Sequence, residues 1–175
     1  MTSSSGQMPA EPGLLDVAAI AKTVQAIKSR RRTGPSRSAI RVFVRQLQEH
    51  AALLMQQDLG PDDDALQALR EGAKECSTHV PALLEEDSPA EVLREMHLFA
   101  VVTEGLLRRW CQHDTAGGDY EIRVEEDERG GYYVWDTVSG SRASLRPIRG
   151  DSLPAAHLPL DAAWNLTRRL NQKAR

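Results

Sequence analysis

The sequence predicts a mostly helical α+β protein: an N-terminal four-helix unit, a small antiparallel β-meander and a C-terminal covering helix. Three observations predict it. Apolar residues recur at three- and four-residue spacing from Leu14 to about Trp110. The period then drops to two between Tyr120 and Trp135. A last helical stretch follows Asp161. On this pattern the 175 residues divide into a leader (1–13), a helical domain (14–113) and a β-meander plus helix (119–175). The leader is Ser/Pro/Gly-rich without periodicity, and reads as disordered rather than as a signal peptide.

The first helix carries Leu14, Val17, Ile20, Val24 and Ile27 on one face, with Asp16 as its N-cap. It ends in a basic run from Lys28 to Arg32 before Gly34-Pro35. The second runs from Ser36 to about Leu59-Gly60. Ile40, Phe43, Val44, Leu47, Ala51 and Leu54 form its stripe, flanked by Arg37, Arg41 and Arg45 at four-residue spacing. Asp62-Asp63-Asp64 opens the third, where the helix dipole favours carboxylates, and Pro81 is expected to stop it. The fourth begins at the capping box Ser88-Pro89-Ala90-Glu91 and has apolar residues on more than one face, so it is the expected centre of the core.

Tyr120, Ile122 and Val124 alternate with Glu121, Arg123 and Glu125 as a half-buried strand. An acidic turn leads to Tyr132-Tyr133-Val134-Trp135, a second strand, and Arg142 to Arg146 supplies a short third. Asp161 is expected to cap the final helix, which carries Leu160, Ala163, Trp164, Thr167 and Leu170.

Composition excludes several classes. No apolar run reaches the ~18 residues of a membrane span. Two cysteines fit a reducing cytoplasm, which is the expected location. The net charge of −3 argues against a uniformly basic nucleic-acid binder, but it is a difference. Eight basic residues and no acidic one lie between Lys22 and Arg45, so that +8 here and −11 elsewhere make up the total. Eighteen of the 22 basic residues are Arg, the bias of a GC-rich coding sequence.

Motifs for chemistry are sparse. Gly150-Asp151-Ser152-Leu153 spells the letters of the GDSL-type esterases, yet it lies 22 residues from the C-terminus with only His157 after it. A serine nucleophile needs a base and a group to orient that base, so the tetrapeptide reads as a polar loop. Cys76-x-x-His79 and Cys111-x-His113 hold the inventory of a zinc site, but they end helices three and four at places too far apart for tetrahedral coordination. Glu91, Glu95, His97 and Glu104 lack the Glu-x-x-His spacing of di-iron bundles. Phosphate-loop, dinucleotide and zinc-protease motifs are absent, and no cofactor or metal is expected.

The expected function is therefore non-catalytic: interaction or regulation through protein–protein contact, with a protein partner or a second copy of the chain. The candidate contact residues are Tyr133 and Trp135. The alternative is a DNA-associated regulator whose Lys28, Arg30, Arg31, Arg32, Arg37, Arg41 and Arg45 contact phosphates or an acidic partner. A third expectation is a small metal-free enzyme with a site assembled from loops.

Overall fold

A computed structural model describes residues 15–29, 36–85, 89–125, 131–145, 153–154 and 157–174. The fold is α+β and mostly helical, as the periodicity predicts. Four helices come first: α1 (Val17–Lys28), α2 (Arg37–Met55), α3 (Asp64–Glu85) and α4 (Pro89–Asp114). Three antiparallel strands follow, β1 (Tyr120–Val124), β2 (Tyr132–Asp136) and β3 (Ser141–Arg142), in the order β1-β2-β3. A separate two-residue pair, β4 (Ser144–Leu145) with β5 (Leu153–Pro154), precedes α5 (Leu160–Ala174).

The helix starts follow from their caps. Asp16 accepts from the Ala19 amide at 2.9 Å, Ser36 from Ala39 at 3.3 Å and Asp63 from Leu66 at 2.8 Å. Helix α4 opens at Pro89, while Ser88 of the expected capping box lies outside the described residues. It touches each of the other four helices and β1. Its Met96, Phe99, Leu106, Leu107 and Cys111 are fully buried. Apolar residues on several faces have that consequence, because each face meets a different neighbour. The core continues without a break from the helices into Ile122, Tyr132 and Val134 of the sheet and Leu160 and Ala163 of α5.

Four boundaries differ from expectation. Pro81 does not stop α3, which runs on to Glu85. A proline costs a helix the amide that would bond the carbonyl four residues earlier, here Ser77. The side-chain amide of Gln48 takes that carbonyl at 2.9 Å, so the helix continues. Helix α2 ends at Met55, short of Gly60, and Leu59 turns inward to become a buried core residue. The third strand is only Ser141–Arg142; Ala143 still donates to Val134, after which the chain leaves for the β4/β5 pair. Asp161 lies in the first turn of α5, one residue past its start, because the Ala163 amide bonds the Pro159 carbonyl.

The register of β1 on β2 pairs Glu121 with Trp135 and Arg123 with Tyr133, so these four side chains share the outer face. The inner face buries Ile122, Tyr132 and Val134 beneath α5. The free edge of β1 is covered by side chains. Asn171 bonds both the amide and the carbonyl of Tyr120, at 2.9 and 3.1 Å, and Gln112 reaches the Ile122 carbonyl at 3.2 Å.

Candidate functional site

The outer face of the sheet brings the two expected contact residues together. Tyr133 and Trp135, two residues apart on β2, stand edge to face with ring centroids 6.3 Å apart. Arg123 lies over the Trp135 ring at 4.3 Å and Arg142 over Tyr133 at 4.4 Å. Each guanidinium is held by an acid on the same face. Arg123 meets Glu121 at 2.5 Å, and Arg142 meets Glu125 through two nitrogens at 2.9 and 2.8 Å. The Glu121 carboxylate beside Arg123 holds that guanidinium more firmly protonated than usual. The rings are thereby fixed in one arrangement, half-exposed, with their apolar faces under cations. The sequence alternation reveals Arg123 as a same-face neighbour. Arg142 escapes it, because the length of the third strand and its register are not readable from composition.

The basic tract is distributed differently. Arg30, Arg31 and Arg32 lie outside the described residues. Lys28, at the last turn of α1, pairs with Glu104 of α4 at 2.5 Å. Arg37 donates to the Leu84 carbonyl at 2.5 Å and Arg41 lies 3.7 Å from Glu85, so both close on the C-terminal end of α3, the negative pole of its dipole. Arg45 bonds Glu49 of its own helix at 2.9 Å. The four-residue spacing of these arginines reads equally as a phosphate flank and as a row of intrachain partners; in the fold Arg37 and Arg41 meet α3 and Arg45 meets its own helix.

The remaining candidates have local roles. Cys76 and Cys111 are free and buried; burial raises the Cys76 thiol and pushes the Cys111 thiol well above its ordinary range. His97 bonds the Leu93 carbonyl one turn earlier at 2.7 Å, and His113 pairs with Asp58 at 3.2 Å. Among the described residues, no three His, Cys, Asp or Glu side chains come together in a way that would hold a metal ion. Gly150, Asp151 and Ser152 lie outside the described residues, and Leu153 begins β5.

A second feature lies on the opposite side of β2. A groove of about 1000 Å³ runs between α1, α4 and the segment His157–Asp161. At its centre Glu104 receives Lys28 on one oxygen and the Tyr132 hydroxyl on the other, the latter at 3.3 Å. Burial and the adjacent Glu104 charge push the Tyr132 phenol well above its ordinary range. The groove's end is fixed by a two-bond bridge between Tyr132 and Leu158, at 2.9 and 2.8 Å. There His157 has φ 52°, the left-handed region, and Gly131 has φ 97°. A Cβ at Gly131 would sit 3.1 Å from the His157 backbone, so the close approach requires glycine on two counts. In sequence, Glu104 stands out only as a doubtful metal ligand and Arg108 not at all, since nothing along the chain says that α1 leaves this space open.

Comparison with protein-family models, curated proteins and solved structures finds no match for the chain.

Proposed function

We propose that this chain is a non-catalytic interaction protein that pairs with a second copy of itself through the outer face of its sheet. The observation that carries this reading is the fixed, half-exposed layer of Tyr133 and Trp135 under Arg123 and Arg142. Large aromatics and arginine are the residue types that dominate binding energy at protein contacts, and pre-ordered side chains lose little entropy on binding. The same face carries Glu121 and Glu125 against the two arginines, so it has no net charge to select an anionic or cationic partner. A face bearing both signs is complementary to itself under a two-fold axis. The covered edge of β1 favours contact through the face over addition of a strand. Among the described residues no helix is long and apolar enough to cross a membrane. The free, buried thiols fit a reducing, cytoplasmic setting, which belongs to the same reading.

Light scattering and sedimentation over a concentration series test it. The full chain is expected to dimerise, and Tyr133→Ala with Trp135→Ala to weaken the dimer by a hundredfold or more, at about 2 kcal/mol or more per hot-spot aromatic. A monomer at every concentration, or a variant that dimerises as well as the parent, overturns the reading. Salt-sensitive retention of duplex DNA, abolished by charge reversal at Arg37, Arg41 and Arg45, replaces it with the phosphate-contact alternative.

A further inference from the structure

The groove between α1, α4 and the His157–Asp161 segment has the makings of a ligand site independent of the sheet's outer face. Its volume of about 1000 Å³ is at the upper end of small-molecule pockets. Its walls are amphiphilic. Ala18 and Ala21 of α1 and Leu158 supply apolar surface above the buried Val24, Leu107 and Leu160. Val124 belongs to the inner face of β1, yet the residue is 40 % exposed and lines the groove. An apolar side chain at that position is left wet unless something apolar covers it.

The charged lining is specific in sign. Among the described residues, Lys28, Lys22 and Arg108 face Glu104 and Asp161, an excess of one positive charge. Glu104 is already occupied by Lys28 and the Tyr132 hydroxyl. Arg108, one helical turn further along α4, is only partly exposed, and neither it nor Lys22 has a carboxylate partner among the described residues. A guanidinium half-removed from water without an anion is unfavourable, and a carboxylate is its best-matched partner.

The geometry points to this groove as the binding site of a small monocarboxylic acid with an apolar tail. The carboxylate meets Arg108 with Lys22 in support, and the tail lies over Ala21, Val124 and Leu158. A bare anion would leave the exposed Val124 wet, and a neutral apolar molecule would leave Arg108 without a carboxylate from the described residues. The Tyr132–Leu158 bridge, with the left-handed backbone at His157, holds the end of the groove in place before any ligand arrives.

The test uses the isotopically labelled full chain, titrated with octanoate, octanol and acetate while backbone amide signals are followed. Octanoate is expected to give saturable shifts at the amides of Gly131, Tyr132 and Leu158. Octanol and acetate are each expected to bind at least about tenfold more weakly. Arg108→Gln weakens octanoate by about tenfold or more while the spectrum stays folded. Lys22→Gln, on the exposed side of α1 and remote from the core, repeats the test in a smaller degree. Absence of saturable shifts at those amides, octanol binding as tightly as octanoate, or unchanged affinity in both variants overturns the assignment.

Discussion

The side-chain amide of Gln48 on α2 donates to the Ser77 carbonyl on α3 at 2.9 Å, filling the place of the backbone amide that Pro81 lacks. This bond lets a helix pass through a proline, and it locks α2 to α3 at one register. Gln48→Ala leaves a partly buried carbonyl without a donor and is expected to cost about 1–2 kcal/mol in chemical denaturation. Pro81→Ala returns the amide to the helix, so in that background the same Gln48 substitution should cost much less. Equal losses in the two backgrounds would show the bond to be incidental.

Gly118 and Asn171 form a second dependency. A Cβ at Gly118 would lie 2.3 Å from the Asn171 amide, which is itself tied to both backbone groups of Tyr120. The amide cannot move aside without releasing the edge of β1. Gly118→Ala is expected to cost about 2 kcal/mol by overpacking and to expose that edge. Asn171→Ala exposes the edge directly, and the double variant should lose less than the two single losses combined. Faster amide exchange at Tyr120 in both single variants is the accompanying signature, and normal protection there would contradict the account.

On the outer face, Glu125 has a side chain only 3 % exposed, while its partner Arg142 is 44 % exposed. The asymmetry sets which substitution hurts. Arg142→Ala strands a buried carboxylate and removes the cation over Tyr133, for about 1–2 kcal/mol once the exposure of Arg142 is allowed for. Glu125→Ala leaves an arginine that water can solvate and should cost less. A larger loss from Glu125→Ala than from Arg142→Ala, measured by thermal unfolding, would reverse this ordering.

These dependencies show where the chain announces its fold and where it does not. The helices are legible because cap and stripe agree: Asp16 before Val17, Ser36 before Arg37, Asp63 before Asp64. Tyr133 and Trp135 are placed on one face by the two-residue period alone. Pro81 misleads because the compensating group, Gln48, lies 29 residues from Ser77 on another helix. Arg37 and Arg41 are legible as part of a row but not as partners of α3, since a charge pattern on one element does not say which element will cover it. The groove is invisible in the sequence for the same reason: Lys28, Glu104, Tyr132 and His157 are brought together by tertiary packing and share no spacing.

His50 gives the fold a pH dependence near neutrality. It sits on α2 with its Nε2 3.2 Å from the Thr23 hydroxyl of α1. Burial between the helices holds its imidazole below the ordinary histidine value of 6.5, and the nearby Glu49 and Asp16 carboxylates only partly offset this. The unfolded chain therefore binds a proton at His50 more readily than the folded one does. Stability from this residue is fully present above about pH 6.5 and falls as pH drops from there through the lower folded value. His50→Gln keeps a polar partner for Thr23 but cannot take up the proton. The variant is expected to lose less thermal stability than the parent between about pH 7 and pH 5, the window below the unfolded value. Carboxylates such as Asp63 and Asp136, held low by backbone amides, contribute their own loss only at more acid pH. They titrate alike in both proteins, so the difference between the two curves isolates His50. Parallel curves across that window would mean that the imidazole is solvated enough to titrate as it does in the unfolded chain.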